Sequence, residues 1–248
     1  MADSSAFALH RPDLSAALRS GDEKIRQLGA RNVRRVAGGT VLINADEPHD
    51  FVYRMRSGWA ARVRTLEDGR SQYILVFLPG DLFAVKSMFI TEHPDAVQVL
   101  CDSTIEQIDH RELKKAYDRD PDIALRCTWQ IVEEERRLHT WIVGLGRGSA
   151  EERIALFFLE FRARLVLSGT LPPQAASYEL PMTQEQIADH IGLSTVHVNR
   201  TLRHLRERGI ASLRGRTVSI RDEAELRAIA RPLMDTFERR SFAFGGES

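Results

Sequence analysis

The segment Thr183-Gln-Glu-Gln-Ile-Ala-Asp-His-Ile-Gly-Leu-Ser-Thr-Val-His-Val-Asn-Arg-Thr-Leu-Arg-His-Leu205 decides the architecture of this 248-residue chain. Thr183, with Gln186 three positions on, forms the reciprocal cap that opens a short helix. Ala188 is small where a second helix has to cross closely. Gly192 supplies the left-handed residue that stops the first helix, and Ser194 is a favourable N-cap for the next. Ile187, Ile191, Leu193, Val198, Leu202 and Leu205 then fall on one shared apolar face. A small residue, a glycine four later and a β-branched apolar residue six beyond that are the spacing of a helix-turn-helix.

The residues that follow extend the pattern. Gly209 ends the second helix, and Ile210-Ala-Ser-Leu-Arg-Gly-Arg-Thr-Val-Ser-Ile220 reads as strand, glycine turn, strand. That is a wing, with Arg214 and Arg216 at its tip. The competing interpretation is an ordinary helical hairpin with a solvated basic face. Charge decides between them. The chain as a whole is neutral, with 35 Lys+Arg against 35 Asp+Glu, but residues 183–221 hold seven arginines against Glu185, Asp189 and Glu207, a net of +4. Residues 1–148 carry 21 basic against 22 acidic residues. A concentrated positive charge on a capped helix pair suits a polyanion, here double-stranded DNA.

The second helix presents Thr195, Val196, His197, Asn199 and Arg200 as candidate base contacts. Arginine bonds bidentately to guanine O6 and N7, and asparagine to adenine. Thr183, Gln184, Ser194, Arg203, Arg214 and Arg216 suit phosphates, which set register and affinity rather than sequence. His190, His197 and His204 recur every seven residues, but no carboxylate or thiolate completes a metal set.

Upstream, residues 32–109 read as β. The runs 51–55, 59–66, 72–78, 97–100 and 104–108 are separated by turn signals at Gly38-Gly39, Ser57-Gly58, Asp68-Gly69 and Pro79-Gly80. The irregular stretch from Phe83 to Pro94 has room for a short helix. His110 to Asp118 reads as a helix, and a long one runs from Asp122 to about Gly144. On it Ala124, Cys127, Ile131, Glu134, Leu138, Trp141 and Leu145 repeat at heptad spacing, which suits either a helix lying on its own β domain or, the favoured reading after a separate β domain, a seam for pairing two subunits. Glu133-Glu134-Glu135 reads as a solvated acidic face. Gly144-Leu-Gly-Arg-Gly148 is expected to break the helix as a hinge, and Ser149 with Glu152 caps the next helix.

The order of these parts, from about Asn32 to Ile220, resembles the Crp/Fnr family of bacterial transcription regulators. The resemblance is strongest from Pro181-Met-Thr-Gln-Glu-Gln-Ile-Ala to Arg214-Gly-Arg-Thr-Val. It implies an α+β fold: an N-terminal cyclic-nucleotide-binding-like β-roll over 1–118, a dimerisation helix and hinge over 119–147, a winged helix-turn-helix over 148–225 and a helical tail over 226–248. It also implies a homodimer on a near-palindromic DNA site, in contact with RNA polymerase.

Departures from the family narrow the expectation. Its recognition helix offers Glu and, four residues later, Arg to the bases. Arg200 keeps the second position, whereas Val196 stands at the first; Thr195 replaces an arginine of the cyclic-AMP receptor, and Asn199 replaces a base-contacting Ser of the Fnr branch. Gly80-Asp81-Leu82 matches the start of the cyclic-nucleotide motif, yet Asp95-Ala-Val-Gln98 stands where the phosphate-binding Arg pair belongs. Tight cyclic AMP binding is not expected. The N-terminal cysteines of the Fnr branch are missing, which excludes its iron–sulfur cluster. No cofactor is expected; haem, a small-molecule effector, thiol oxidation at Cys101 or Cys127, or no effector, as in FixK-type members, stay open, with buried packing favoured for both cysteines.

Other function classes carry less support. A ligand-sensing module regulating a partner protein would need the phosphate-binding arginine. Enzyme signatures such as G-x-S-x-G, a P-loop or H-E-x-x-H do not occur. With no run of about 18–20 apolar residues and no basic-then-apolar N-terminus, the sequence reads as a soluble cytoplasmic protein.

Overall fold

The computed structural model describes residues 12–234, which fall into two compact units divided between Arg136 and Arg137. The division lies inside one helix.

Unit one opens with a helix that the sequence reading passed over, α1 (Pro12–Gly29). Leu18 and Ile25, seven apart, are fully buried on it. Strands β1 (Val33–Val36), β2 (Val41–Ile43), β3 (Phe51–Ser57), β4 (Ala60–Thr65), β5 (Ser71–Phe77), β6 (Leu82–Phe83), β7 (Ala96–Val99) and β8 (Ser103–Asp109) follow. They form two four-stranded antiparallel sheets, β1-β8-β3-β6 and β2-β7-β4-β5, which is the expected β-roll. A short 3₁₀ helix (Val85–Met88) lies in the stretch expected to hold one. The Asp68-Gly69 turn closes the hairpin of β4 and β5, pairing Thr65 with Ser71. At Gly58 a Cβ would stand 2.8 Å from Ser103 Cα, too close for any side chain.

Two helices complete the unit, α2 (His110–Arg119) and α3 (Pro121–Arg147). Asp109 caps α2, its side chain accepting from Arg111 N–H at 2.8 Å. One apolar cluster joins α1, the roll, α2 and α3: Ile25, Val52, Leu82, Val85, Ile108, Leu113, Ile123 and Cys127. Ion pairs reinforce it. Arg54 and Arg126 both reach Asp22 of α1, at 3.1 and 3.0 Å, and Lys24 reaches Asp120 and Asp122.

Three expectations about α3 need correction. The helix runs through Gly144 and Gly146 to Arg147, past the expected end near Gly144, and the break falls at Gly148-Ser149, the far end of the expected glycine segment. Backbone bonding continues there, with Gly148 N–H donating to Gly144 O at 2.8 Å. Glu134 is not part of a solvated acidic face, because it pairs with Arg62 of β4 at 2.8 Å. Part of the expected heptad seam is taken up by the chain's own core. Cys127 is 0% exposed in the unit-one core, Glu134 faces the roll, and Trp141 is buried in unit two. The large apolar residues that α3 leaves uncovered are Ile131, Val132, Ile142, Val143 and, least of them, Leu145. That face lies roughly a quarter-turn from the expected seam, at 3.6 residues per turn. Ile131 and Leu145 remain accessible at its edge.

Burial pushes the Cys127 thiol up to about 12. The native thiol is therefore expected to resist iodoacetamide at pH 8 and to react fully once the chain is unfolded, which peptide mass spectrometry reads directly. Between the ordinary thiol value and about 12 the unfolded chain ionises first, so stability falls as pH rises. Native alkylation at pH 8 would contradict this placement.

Unit two holds α4 (Ala150–Leu167), β9 (Ser177–Glu179), α5 (Gln184–Ile191), α6 (Thr195–Glu207), β10 (Ala211–Arg214), β11 (Thr217–Ile220) and α7 (Glu223–Ala230). The strands form the sheet β10-β11-β9, so the wing has a third strand that the sequence reading missed. Helix α7 spans the expected boundary at 225/226. Residues 235–248 of the expected tail lie outside the described residues.

Candidate nucleic-acid interface

Local chemistry shapes the helix-turn-helix as its sequence requires. Gln186 N–H donates to Thr183 Oγ1 at 3.1 Å and Thr183 N–H donates to Gln186 Oε1 at 2.8 Å, closing the capping box of α5. Helix α5 ends at Gly192, with φ 65° and ψ 42°. A Cβ there would sit 2.4 Å from Leu145 Cδ2, so conformation and space both demand glycine. Ser194 Oγ accepts from His197 N–H at 3.3 Å and caps α6.

The two faces of α6 separate cleanly. Val198, Leu202 and Leu205 are buried, while Thr195, Val196, His197, Asn199, Arg200 and Arg203 are exposed. The predicted candidates thus share one surface at the start of the helix. His197 differs from the others, since its Nδ1 lies 3.1 Å from Ser194 Oγ and the ring folds back on the cap. Thr183, Gln184 and Ser194 are exposed around the same helix starts, where backbone N–H groups and the helix dipole favour an anion. Arg214 pairs with Thr217 across the Gly215-Arg216 turn, which leaves Arg214 and Arg216 exposed on the wing. Not all seven arginines face outward for a partner. Arg208 is bound by Glu151 at 2.6 Å and Glu225 at 2.7 Å.

Two supports escaped the sequence reading. Arg153 of α4 donates to four carbonyls: Leu145 at 2.9 Å, Gly148 at 3.0 Å, and Ile191 and Gly192 at 3.2 Å each. It satisfies the end of α5 where the turn begins, a helix terminus that would otherwise bury unpaired carbonyls. An aromatic cluster lies behind it. Trp141 Nε1 donates to Glu160 at 3.1 Å, and the His190 ring packs edge-on to Trp141 at 4.7 Å between centroids. Phe157 lies 5.4 Å from the same ring. His190 is therefore a core residue of α5, whereas His197 and His204 are exposed on α6. The spacing of Arg153 from the turn carried no local signal, because the bond closes only in the folded unit.

The β-roll bears on the second candidate site. Asp95, standing where the resemblance asks for arginine, accepts from Arg64 Nε at 2.7 Å. Arg62, paired with Glu134, also lies over the Phe77 ring at 5.7 Å. Gln130 of α3 accepts from Leu82 N–H at 3.2 Å. Lys86 sits among Arg62, Arg64, Asp95 and Glu134, its ammonium held below the usual lysine range by burial first and Arg62 next. Arginines are present, but carboxylates of the same chain already answer two of them.

Comparison with known proteins agrees with both modules. The Crp-like helix-turn-helix domain matches residues 152–229, and the cyclic nucleotide-binding domain matches residues 33–120. The nitrogen fixation regulation protein FixK of Bradyrhizobium diazoefficiens is 28% identical over 200 residues, which cover 81% of this chain and 82% of that protein. The transcriptional activator protein anr of Pseudomonas aeruginosa is 25% identical over 197 residues, 79% of this chain and 80% of its own. The solved structure of FixK2 from Bradyrhizobium japonicum superposes with a TM-score of 0.72 at 28% identity, covering 80% of this chain and 96% of that one. A β-roll, a long helix and a capped helix-turn-helix with its wing, in that order and with those matches, place this chain in the Crp/Fnr family of bacterial transcription regulators.

Proposed function

We propose that the chain acts in the cytoplasm as a homodimer that binds a near-palindromic promoter site and contacts RNA polymerase, without enzymatic activity of its own. One observation carries the DNA-binding part: the start of α6 exposes Thr195, Val196, Asn199 and Arg200 beside an exposed, arginine-tipped wing. In this reading those side chains, with His197 set back on the cap, face base edges. Thr183, Gln184, Ser194, Arg203, Arg214 and Arg216 hold phosphates. The subunits pair through the α3 face that carries Ile131, Val132, Ile142 and Val143. Along the chain, 1–118, 119–147 and 148–225 serve as sensor-like roll, pairing helix and DNA-binding domain.

Selection of bound sequences from a random duplex library, with no added effector, tests the whole reading. A two-fold motif with half-sites about one helical turn apart supports it; no enrichment from a folded dimer counts against it.

Base and phosphate roles separate in mutants. Arg200→Ala is expected to cost roughly 1–3 kcal/mol at one base pair of each half-site and to relax specificity there. Arg214→Ala should weaken all duplexes alike and lower the slope of log K against log salt by about one. Titrations over a site library at three salt concentrations check both. Identical behaviour of the two variants would refute the division.

Cyclic AMP is expected to give no heat on titration and no shift of the melting temperature at millimolar ligand. A ligand at a hundred times its Kd would stabilise by about 2.7 kcal/mol, which is easily seen. The phosphate would enter a roll in which Asp95 and Glu134 already engage Arg64 and Arg62.

A further inference from the structure

Val196 is an outlier on its own surface. It is 65% exposed, while its exposed neighbours on α6, Thr195, His197, Asn199, Arg200 and Arg203, all carry side chains with hydrogen-bonding groups. Folding does not explain it. A β-branched residue in a helix loses rotamer freedom, and at this exposure packing returns little. The first turn of a helix rewards Asp or Glu, and the first turns of α2, α3, α4, α5 and α7 each carry one, whereas that of α6 carries none. The position has forgone both an acid and a polar side chain.

We propose that Val196 reads the C5 methyl of a thymine, so that each half-site places a T·A pair close to the guanine taken by Arg200. This rests on the DNA-binding reading and names one of its bases. In the major groove the thymine methyl is the one apolar group among donors and acceptors, and an aliphatic side chain is its natural contact. A cytosine there would turn its N4 amino donor toward methyl groups with no acceptor, leaving the donor desolvated and unpaired. Four residues separate Val196 from Arg200, a rise of roughly 6 Å or about two base steps, so both reach bases of one half-site. Asn199, three residues from Val196, shares this face.

The test uses the full-length protein and the duplex obtained by library selection. Each thymine of one half-site, then of both, is replaced by deoxyuridine, which removes only the methyl. One position per half-site should lose roughly four-fold in affinity, and the doubly substituted duplex roughly 16-fold, the expected effect of one buried methyl and of two. In Val196→Ala that position should become indifferent to the methyl, while Arg200→Ala keeps the sensitivity. Val196→Glu should shift the preference there from T·A toward C·G. If no position responds to deoxyuridine, or if the response persists unchanged in Val196→Ala, the assignment is wrong although DNA binding stands. If the folded protein selects no duplex at all, the assignment falls together with the reading beneath it.

Discussion

The double variant Ile131→Glu/Ile142→Glu should sediment as a monomer and lose at least about 100-fold in affinity for a palindromic site. Both residues lie on the accessible face of α3, 48% and 64% exposed, so the chain itself gives them little to pack against. Covering an aliphatic side chain is worth about 1.5–3 kcal/mol, and four such residues per subunit, with Val132 and Val143, make a substantial pairing face. Two carboxylates per subunit would bring four charges into one apolar contact without partners. A monomer holds one half-site, which returns binding to the range of non-specific contacts, roughly 10⁻⁴–10⁻⁶ M. Because the substituted positions are exposed, the far-UV spectrum and the monomer's unfolding should stay within about 0.5 kcal/mol of the parent. A variant that remains dimeric by equilibrium sedimentation would show that another surface pairs the subunits.

That face also marks where sequence reasoning stopped. Helix α3 carries apolar residues on more than one side, so heptad spacing alone selected the row through Cys127, Glu134 and Trp141. Which row meets the protein's own core is a tertiary fact: Cys127 fills the cluster with Ile25, Val52 and Ile108, and Trp141 meets Glu160 and His190. The helix-turn-helix was readable because its determinants are local. Thr183 and Ser194 cap N–H groups three residues on, Gly192 is marked by its own backbone conformation, and the alternation of buried and exposed residues on α6 follows from period alone. The strands of the roll were readable for the same reason, through their glycine-marked turns. Helix α1 was missed although Leu18, Ile25 and Leu28 recur on one side, because its polar composition masked the period. The ion pairs Arg62–Glu134 and Arg126–Asp22 link residues 72 and 104 positions apart, and no local pattern announces them.

Glu134→Ala should destabilise unit one by about 3–5 kcal/mol, far more than its place in a Glu-Glu-Glu run would lead one to expect. The Arg62 side chain is only 10% exposed, and Glu134 Oε2 at 2.8 Å is the carboxylate that answers it. Removing that carboxylate leaves a guanidinium in the roll with Lys86 nearby as a like charge, and the Phe77 ring at 5.7 Å offsets a small part of the loss. The effect is a penalty for an orphaned charge rather than the worth of the pair. The double variant Arg62→Met/Glu134→Leu should therefore recover most of the stability, since apolar residues of similar volume remove both charges together. Denaturant unfolding of the four proteins in the cycle measures this. A Glu134→Ala cost below about 1 kcal/mol would mean that water reaches the pair and that the roll interior is open. The recovered double variant then serves as a functional probe: if the pair merely fills the roll, its DNA site and affinity should match the parent's, and a changed affinity would show that the charges linking β4 to α3 set the binding-competent state.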